Sequence, residues 1–564
     1  MDFQQFKKSI ESTQSRKWTP RQKHLDALDR ALYGELYKHV GSSFSQEFTD
    51  RYNSKRISLD SRRASVQYQL PMMIARDLST RLFGESGRPT ILARYDDFTN
   101  AWISSLIEDS FIWWTYIDAT WQGSVGTVCV VTRVLADNET DPGRFAHEVW
   151  PAVECSPVFR RTNPGKLEKL TRTYFAKSDM LRAEGYDVDA LEEAWKTKKY
   201  GRSKIAKLKS THARASSVTS VASPEWVMRC VLDGVTETWH EPIPQWLYEL
   251  NEFDETTEWP IDLARTAEHG LGEVPAIWIR ALPSRHTKYP DGGSTFEPAI
   301  DYQLRIDRTL SQTGRALDYV GDPQLALKRG AGGSSEFGED LSAPDATASD
   351  IVEVEPDGSA EFLEIRGEGL EVAIRTYVET LRKIAREVCA ASRIDPESSP
   401  REMSGVAMRM LEHALFGVVG ILRISTGDMG LIPHIRLCMR IANKVRVELP
   451  SLADKLTQGK LTDGKPNPNA TIETQWPPTP EPSGLDKLAE VQSVMAASNP
   501  VSGPAGISLE TAVANLAPLF DVRDPVKEFA AISSQAAEKQ QNDLDVADQK
   551  AAITAKHAPK KPGP

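Results

Sequence analysis

The feature that most constrains this fold is a pair of amphipathic stretches, Phe296–Val320 and Glu368–Ser392, separated by a long segment rich in Gly, Ser and Asp. Apolar side chains recur in the second stretch at alternating steps of four and three residues: Leu370, Ile374, Tyr377, Leu381, Ile384 and Val388. Such a seam suits an antiparallel partner helix or neighbouring copies of the chain. The pairs Glu371/Arg375 and Glu379/Lys383 lie at i,i+4 spacing, the favoured order for helical ion pairs.

The first stretch has a weaker apolar stripe, formed by Ile300, Leu304, Leu310 and Leu317 among the charged residues Asp301, Arg305, Asp307 and Arg308. A third apolar run, Ser404–Ile424, contains Gly417 and Gly420 and is followed by Gly427 and Gly430. Each glycine in a helix costs about 0.5–1 kcal/mol relative to alanine. The run therefore predicts a bent or segmented helix that continues through Ile435–Val447.

Length and composition narrow the class of protein. A chain of 564 residues predicts about two to four domains. Its 40% hydrophobic and 26% charged residues are typical of a soluble globular protein. No run reaches the roughly 18 uncharged apolar residues of a membrane span, and the first residues lack the apolar core of a secretory signal. We therefore expect no membrane association.

The cysteines and the net charge give two further expectations. Cys129, Cys155, Cys230, Cys389 and Cys438 are far apart, odd in number and mostly within apolar stretches. This predicts buried free thiols in a reducing compartment rather than a disulfide or metal framework. The net charge of −11 disfavours a protein that coats DNA with its whole surface, but permits one that lets DNA pass.

The region before residue 283 changes from helical to mixed character. Helices are predicted from Pro20, across Arg56–Gly84 and over Asp97–Trp121, whose many aromatic side chains we expect in the core. After Gly123, β-branched residues predict strands. The clearest hairpin signal is Trp226–Trp239, where Asp233-Gly234 suits a two-residue type I′ turn.

Motifs for catalysis are missing from the sequence. There is no GxxxxGK[ST] phosphate loop, HExxH, CxxC, EF-hand loop or GxSxG elbow. His413 and His434 lie singly in apolar helix, which favours structural roles over metal binding. The sequence predicts no enzyme, no cofactor and no metal.

One charge cluster stands out in this acidic chain. Residues 196–214 contain eight basic side chains and no acidic one: Lys196, Lys198, Lys199, Arg202, Lys204, Lys207, Lys209 and Arg214. Two interpretations remain open, a contact with phosphate or an acidic partner, and a solvated surface loop that balances acidic neighbours.

Several short motifs resemble those of one viral protein family. Residues 394–411 read IDPESSPREMSGVAMRML, which resembles the loop-to-helix junction of the portal proteins of tailed bacteriophages. Gly272-Glu-Val-Pro, followed by Gly292-Gly-Ser294, is similar to the approach to the first stem helix of that family. Arg51-Tyr52-Asn53, with Leu70-Pro71 and Leu82-Phe83-Gly84 after it, resembles its N-terminal segment. The order and spacing of these motifs carry the resemblance over most of residues 20–540.

The resemblance implies a predominantly helical α+β fold that assembles into a ring, with these parts: wing 1–293, first stem helix 294–320, clip 321–366, second stem helix 367–392, tunnel loop 393–403, long kinked helix 404–447, linker 448–479, helical crown 480–550 and disordered tail 551–564. Portal proteins form rings of twelve subunits at one capsid vertex, through which double-stranded DNA enters and leaves. The implied location is the virion, after assembly in the host cytoplasm.

The same resemblance implies partners and contact residues. The partners are further copies of the chain, the major capsid protein, the terminase large subunit, which supplies the ATPase, and later the head–tail adaptor. Lys328 and Arg329 would belong to the docking surface of the clip. Arg393 and Arg401 would be sparse contacts to DNA in the tunnel loop, where Asp395, Glu397 and Glu402 would prevent tight binding. Local pairing of these arginines with those acids is the alternative.

Two other kinds of protein remain open from the sequence. One is another viral structural protein, such as a capsid or tail subunit. The other is a nucleic-acid-processing enzyme whose site is too diffuse to recognise. The unusual content of Gly, Ser, Ala and Asp in 330–350 departs from the family pattern, because this part of the clip is expected to form a sheet between subunits.

Overall fold

The computed structural model describes residues 2–15, 17–40, 63–85, 87–135, 143–198, 225–249, 259–284, 290–321, 325–328, 359–362, 368–390, 405–457, 464–477, 491–494, 508–516, 528–535 and 541. Within these ranges the chain mixes helices with antiparallel sheets, in agreement with the predicted α+β class.

The helices fall mainly at the two ends of the described chain. In order they are α1 Phe3–Ile10, α2 Pro20–Leu32, α3 Leu70–Phe83, α4 Asp97–Asp109, α5 Ile112–Gly123, α6 Ser178–Ala183, α7 Val188–Lys198, α8 Gln245–Glu249, α9 Ile300–Gly321, α10 Glu368–Val388, α11 Gly405–Leu422, α12 Ile432–Lys444, α13 Pro450–Thr457 and α14 Leu509–Leu516. A π-helical segment, Arg423–Leu431, joins α11 to α12.

The strands are β1 Thr90–Ala93, β2 Thr127–Leu135, β3 Arg144–Pro151, β4 Cys155–Arg160, β5 Asn163–Lys177, β6 Glu225–Leu232, β7 Thr236–Trp239, β8 Ile243–Pro244, β9 Ala267–Glu268, β10 Ala276–Arg280, β11 Leu325–Lys328, β12 Ser359–Phe362 and β13 Ile472–Gln475. The main sheets have the orders β10-β2-β3 and β4-β5-β6-β7-β9, with β8 also paired to β6. Two further strand pairs, β1-β13 and β11-β12, complete the described sheets.

Strand β2 lies between two hydrophobic cores. Val128 and Val130 belong to a core formed largely by helices, whereas Cys129 and Val131 belong to a core formed by the larger sheet. All four side chains are buried because successive residues of a strand point to opposite faces. This explains why the sequence here is continuously apolar rather than alternating.

Stacked aromatic and guanidinium groups strengthen the core of the β region. The Trp150 ring has the guanidinium of Arg133 5.4 Å from its centroid and that of Arg172 at 4.7 Å. Arg133 also pairs with Glu237 at 2.8 Å and with Glu148. These partners neutralise a charge that would otherwise be costly to bury.

The first long helix has the start that the sequence predicts. Pro20 occupies the first turn of α2, and Thr19 and Gln22 form a reciprocal capping box. Leu25, Leu28 and Leu32 are buried, so the predicted apolar stripe of α2 is confirmed.

The expectation of one helix over Asp97–Trp121 was wrong. The chain breaks between α4 and α5, where Phe111 has a φ of 53°, a left-handed conformation in which the helix cannot continue. Burial of all its aromatic residues was also wrong. Trp102 and Tyr116 are buried, but Phe111 is 76% and Trp114 is 73% exposed.

The predicted hairpin is confirmed, with its turn shifted by one residue. Strands β6 and β7 pair with Leu232 opposite Glu237, and the Asp233 N–H donates to the Thr236 carbonyl at 3.1 Å. The central residues are therefore Gly234 and Val235. The Asp233 carboxylate accepts hydrogen bonds from the N–H groups of both Val235 and Thr236, at 2.7 Å each. This local bonding by an Asp at the first turn position favours the observed geometry over the type I′ turn.

The segmented helix predicted after Ser404 is confirmed, and packing explains two of its glycines, Gly427 and Gly430, but not Gly417 and Gly420. A side chain at Gly427 would meet the Trp476 ring at 2.7 Å, and one at Gly430 would meet Ile279 at 2.9 Å. The Ser425 hydroxyl also donates to the Ala281 carbonyl at 2.9 Å. The π-helical segment is thus pressed closely against β10 and the residues after β13.

Within the described residues, one helical stretch is long and apolar enough to be considered as a membrane span. His413–Lys444 has a mean hydropathy of 1.5, and 44% of its apolar window is buried. The core helices of soluble proteins reach the same length and hydropathy, so these two properties do not identify a membrane span. The absence of membrane association stays a prediction.

We expect Gly427→Ala to lower the free energy of unfolding by about 1–3 kcal/mol, because the added methyl group would overlap the Trp476 ring. Gly417→Ala is the matched control in α11, since a side chain there meets nothing within 4 Å. The control should be neutral or stabilising by up to about 1 kcal/mol. Urea unfolding of the two variants measures the difference, and equal effects would contradict the packing argument.

Candidate functional site

The two amphipathic stretches form a packed helix pair, α9 and α10. The C-terminal end of α10 lies beside the start of α9, where the Cys389 thiol contacts the backbone of Ala299. Leu381, Ala385 and Cys389 are the buried side chains on this face of α10. Since the chain leaves α9 at one end and returns along α10 to its beginning, the pair is antiparallel.

The predicted stripe of α10 is only partly covered by this packing. Leu381 is buried, and Ile374 and Ile384 are half-buried. Tyr377 is 47% and Val388 is 50% exposed. The side chain of Leu370 lies outside the described part of the structure, although its backbone belongs to α10. Part of the stripe therefore remains uncovered in a single chain.

Asp307 anchors α9 to the N-terminal region. Its carboxylate accepts hydrogen bonds from the Tyr68 N–H at 2.7 Å, the Tyr37 hydroxyl at 3.2 Å and the Gln303 side-chain amide at 3.3 Å. The side chain is completely buried, and burial raises the pKa of its carboxyl group to about 6 despite these hydrogen bonds. The pattern of apolar residues in α9 does not predict that Asp307 turns inward.

A second carboxylate joins α9 to α1. The Asp301 side chain accepts a hydrogen bond from the Phe3 N–H at 2.6 Å, at the first turn of α1. Phe3, Phe6 and Ile10 are buried in the helical core. A negatively charged group at a helix N-terminus is favourable because it faces unpaired N–H groups. The start of α9 is thus attached to α1 by a polar contact as well as by apolar packing.

A two-stranded ladder connects the far ends of the pair. Strands β11 and β12 are antiparallel, with Leu325 opposite Phe362 and Lys328 opposite Ser359. The sequence predicts strands at Ile351–Val354 and Ala360–Ile365. The second overlaps β12, the first lies outside the described residues, and β11 was not predicted. Lys328 ends β11, its side chain is not described, and Arg329 lies outside the described residues.

The other predicted contact residues fall largely outside the described chain. This holds for Arg393, Asp395, Glu397, Arg401 and Glu402 of the loop between α10 and α11. Of the basic cluster, Lys196 and Lys198 belong to the end of α7, without described side chains. The remaining members, Lys199, Arg202, Lys204, Lys207, Lys209 and Arg214, lie outside the described ranges. Their roles stay predictions.

The described structure also contains buried thiols and two histidine rings in contact with each other. All five cysteines are free and buried, as the sequence predicts. The expectation that His434 stands alone was wrong, because the His147 ring lies 4.7 Å from it, centroid to centroid. His413, by contrast, is exposed. The missed signal is the spacing of His434 and Cys438, which places both on one face of α12.

Comparison with known protein families finds no family model that matches this chain, and no curated protein matches it.

We expect the pH dependence of stability to report the buried Asp307. Its pKa of about 6 in the folded chain exceeds the usual value of 3.8, so the folded state binds the proton more tightly. The contribution of this group is therefore most favourable below pH 4 and is lost as the pH rises towards 6. The loss is about 2–3 kcal/mol, from about two pKa units.

Asp307→Asn should remove the contribution of Asp307 to this dependence, because an amide cannot ionise. The contribution of Asp29, whose pKa is raised by burial to about 7, should remain in the variant. The Gln303 carbonyl oxygen has no hydrogen-bond partner in the described structure and can accept from the new amide after the Gln303 amide flips. Asp454→Asn, at an exposed position of α13, controls for the loss of one charge. Urea unfolding from pH 4 to 7 measures the profiles. If Asp307→Asn keeps the wild-type slope, the assignment is wrong.

Proposed function

We propose that this chain is the portal protein of a tailed bacteriophage, a subunit of the ring through which double-stranded DNA enters and leaves the capsid. The observation that carries the proposal is the antiparallel pair α9 and α10, joined through β11 and β12 and incompletely covered along its apolar stripe. The sequence motifs at 272–294 and 394–411 lie directly before α9 and directly before and within α11.

The connection between the two helices supports assignment of a stem and a clip. A helix pair needs only a short loop to reverse direction. Here a long segment separates α9 from α10, and its described parts pair as strands. An elaborate tip is unnecessary for folding one helix pair, but it gives a surface for docking. In the proposal the tip, including Lys328 and Arg329, receives the terminase large subunit and then the head–tail adaptor.

The uncovered side chains of α10 support assembly with further copies of the chain. Tyr377 and Val388 are eleven residues apart, about three helical turns, and thus lie on the same face. Half-exposed apolar groups in a row are typical of surfaces that are covered in an assembly. In a ring, each stem helix can pack against its own partner and against the adjacent subunit. The resemblance to portal proteins implies a ring of twelve subunits.

The segmented helix α11–α12 supports the same assignment. Its π-helical segment is fixed against Trp476 and Ile279, so α12 belongs firmly to the body of the subunit. Helix α11 leads from that body to the loop that would line the channel. The proposal therefore gives this helix the task of connecting the capsid-facing wing, which would contact the major capsid protein, with the DNA tunnel.

The net charge suits passage of DNA rather than its retention. At −11 per chain, a closed ring would be strongly electronegative. Repulsion between acidic walls and phosphates prevents the tight binding that a basic channel would produce. The energy for packaging would come from the terminase, in agreement with a sequence that contains no phosphate loop.

Electron microscopy and native mass spectrometry of the full chain test the assembly. We expect rings with a central hole, because the stripe of α10 needs neighbours to cover it. A compact monomer or dimer at all concentrations would contradict the proposal, as would turnover of a nucleic-acid substrate by the isolated chain.

Substitutions on α10 make this test specific. Tyr377→Glu should shift the population from rings to monomers, because it places a charge on the half-exposed apolar face. Lys383→Glu introduces the same charge at an exposed position of the same helix and should leave rings intact. Circular dichroism should show unchanged helix content in both variants. Rings that survive Tyr377→Glu as well as they survive Lys383→Glu would show that α10 is not a subunit interface.

A separate prediction concerns Arg393 and Arg401 in the proposed tunnel loop. Arg393→Ala and Arg401→Ala should assemble normally but package or retain less DNA, because each removes one of few positive contacts to phosphate. Full-length packaged DNA, measured by nuclease protection, would favour local pairing of these arginines with Asp395, Glu397 or Glu402 instead.

A further inference from the structure

Three side chains from two distant parts of the sequence converge beside β2. They are His147 on β3 and His434 and Cys438 on α12, here termed the His-His-Cys cluster. Their donor atoms all lie within 4.8 Å of one another. We propose that this cluster binds one divalent transition-metal ion of the zinc class and thereby fastens α12 to the sheet.

The positions follow from regular structure. Residues four apart on a helix lie on one face, so His434 and Cys438 point to the same side of α12. His147 lies opposite Thr132 in the β2–β3 ladder. The Thr132 hydroxyl contacts the His434 Nε2 atom at 2.7 Å and the His147 Nδ1 atom at 3.2 Å. Strand β3 and helix α12 therefore hold the donor atoms, and metal binding does not require a loop to become ordered.

The distance between the nitrogens suits tetrahedral coordination. His147 Nδ1 and His434 Nε2 are 3.2 Å apart, and the two ring planes are nearly perpendicular, at 84°. Two imidazole nitrogens on one tetrahedral zinc ion, each at about 2.0–2.1 Å, are separated by roughly 3.3 Å. The nitrogens therefore need to move by only a few tenths of an ångström to bind zinc. The Cys438 sulfur, which lies within 4.8 Å of them, must come to roughly 3.5 Å by a side-chain movement.

Hydrogen bonding alone leaves the cluster poorly satisfied. His147 Nε2 and His434 Nδ1 are buried and have no hydrogen-bond partner in the described parts of the chain. If the imidazole protons sit on these outer atoms, two lone pairs face each other at 3.2 Å, and the single Thr132 hydroxyl proton can satisfy only one of them. If one proton turns inward, an outer nitrogen becomes a buried acceptor without a donor. A cation between the inner nitrogens satisfies both lone pairs at once.

Metal binding requires neutral imidazoles and a deprotonated cysteine. Burial lowers the pKa of His147 to about 4 and that of His434 well below its usual value, so both rings are neutral at pH 7. Burial raises the pKa of the Cys438 thiol, which is therefore protonated without a cation. On binding, the thiol releases its proton to solvent, the sulfur becomes a thiolate ligand and the metal keeps its oxidation state.

The donor set selects the kind of metal. Two imidazoles and one thiolate suit Zn²⁺ or Co²⁺, whereas Mg²⁺ and Ca²⁺ prefer oxygen ligands. The fourth position can be filled by the Thr132 hydroxyl or by water. Tyr116 packs its ring 5.7 Å from that of His434, and its buried hydroxyl has no hydrogen-bond partner within the described residues. That hydroxyl is available to a water molecule on the metal.

Metal analysis of the full chain, purified without chelator, provides the first test. We expect about one zinc ion per chain and, after exchange with Co²⁺, the near-ultraviolet charge-transfer band that a cobalt–thiolate bond produces. Cys438→Ser should lose the band and most of the zinc. Cys129→Ser, which changes another buried thiol in β2 of the same sheet, should keep both.

A thermal measurement keeps the proposal testable if Cys438→Ser folds poorly. The chelator-treated wild-type chain should melt at a higher temperature after addition of Zn²⁺ and should not respond to Mg²⁺. Wild-type chain that carries no transition metal, gives no charge-transfer band with Co²⁺ and melts independently of Zn²⁺ would overturn the proposal. The cluster would then be a hydrogen-bonded histidine pair. None of these outcomes depends on ring assembly, so the test is independent of the proposed function.

Discussion

The double burial of β2 is the constraint on which most of this structure depends. Its alternate residues belong to two cores, and its edges pair with β3 on one side and with β10 on the other. The same strand supplies Thr132, which contacts His434 on α12. A polar side chain at Val128 or Val130 would therefore damage the helical core and the alignment of both neighbouring strands at the same time. Helix α5, before the β region, and helix α12, after it, both contact this strand.

The helix pair is attached to that body by a combination of polar and apolar contacts. Asp307 binds segments near residues 37 and 68, and Asp301 binds the start of α1. Asp301 is exposed, whereas burying the Asp307 carboxylate is costly, so the contacts of Asp307 stabilise less than apolar packing of the same size. They do define one orientation, because hydrogen bonds are directional. In the proposed ring, the helix pair would need a fixed direction to meet its neighbours, and these hydrogen bonds at the start of α9 would supply it.

The sequence predicts what depends on local patterns. The periodicity of α2 and α10, the Pro20 helix start, the Asp233-Gly234 turn region and the glycine-rich interruption before α12 can all be recognised from neighbouring residues. It does not predict what depends on distant residues. The inward direction of Asp307 is decided by Tyr37 and Tyr68, and His147 and His434 meet although they are 287 residues apart in the sequence. The break at Phe111 falls between these cases, since nothing in the residues around it forbids a continuous helix.

The π-helical segment at Arg423–Leu431 has a geometric consequence for α11. Successive residues of an α-helix are turned by about 100° around its axis, so removing a single residue here would rotate every side chain of α11 by about that angle. Helix α12 would keep its place, because it is packed against the sheet. The π-helical segment thus sets the rotation of α11 about its axis relative to α12. It determines which side of α11 faces away from the rest of the chain, without altering the packing of α12.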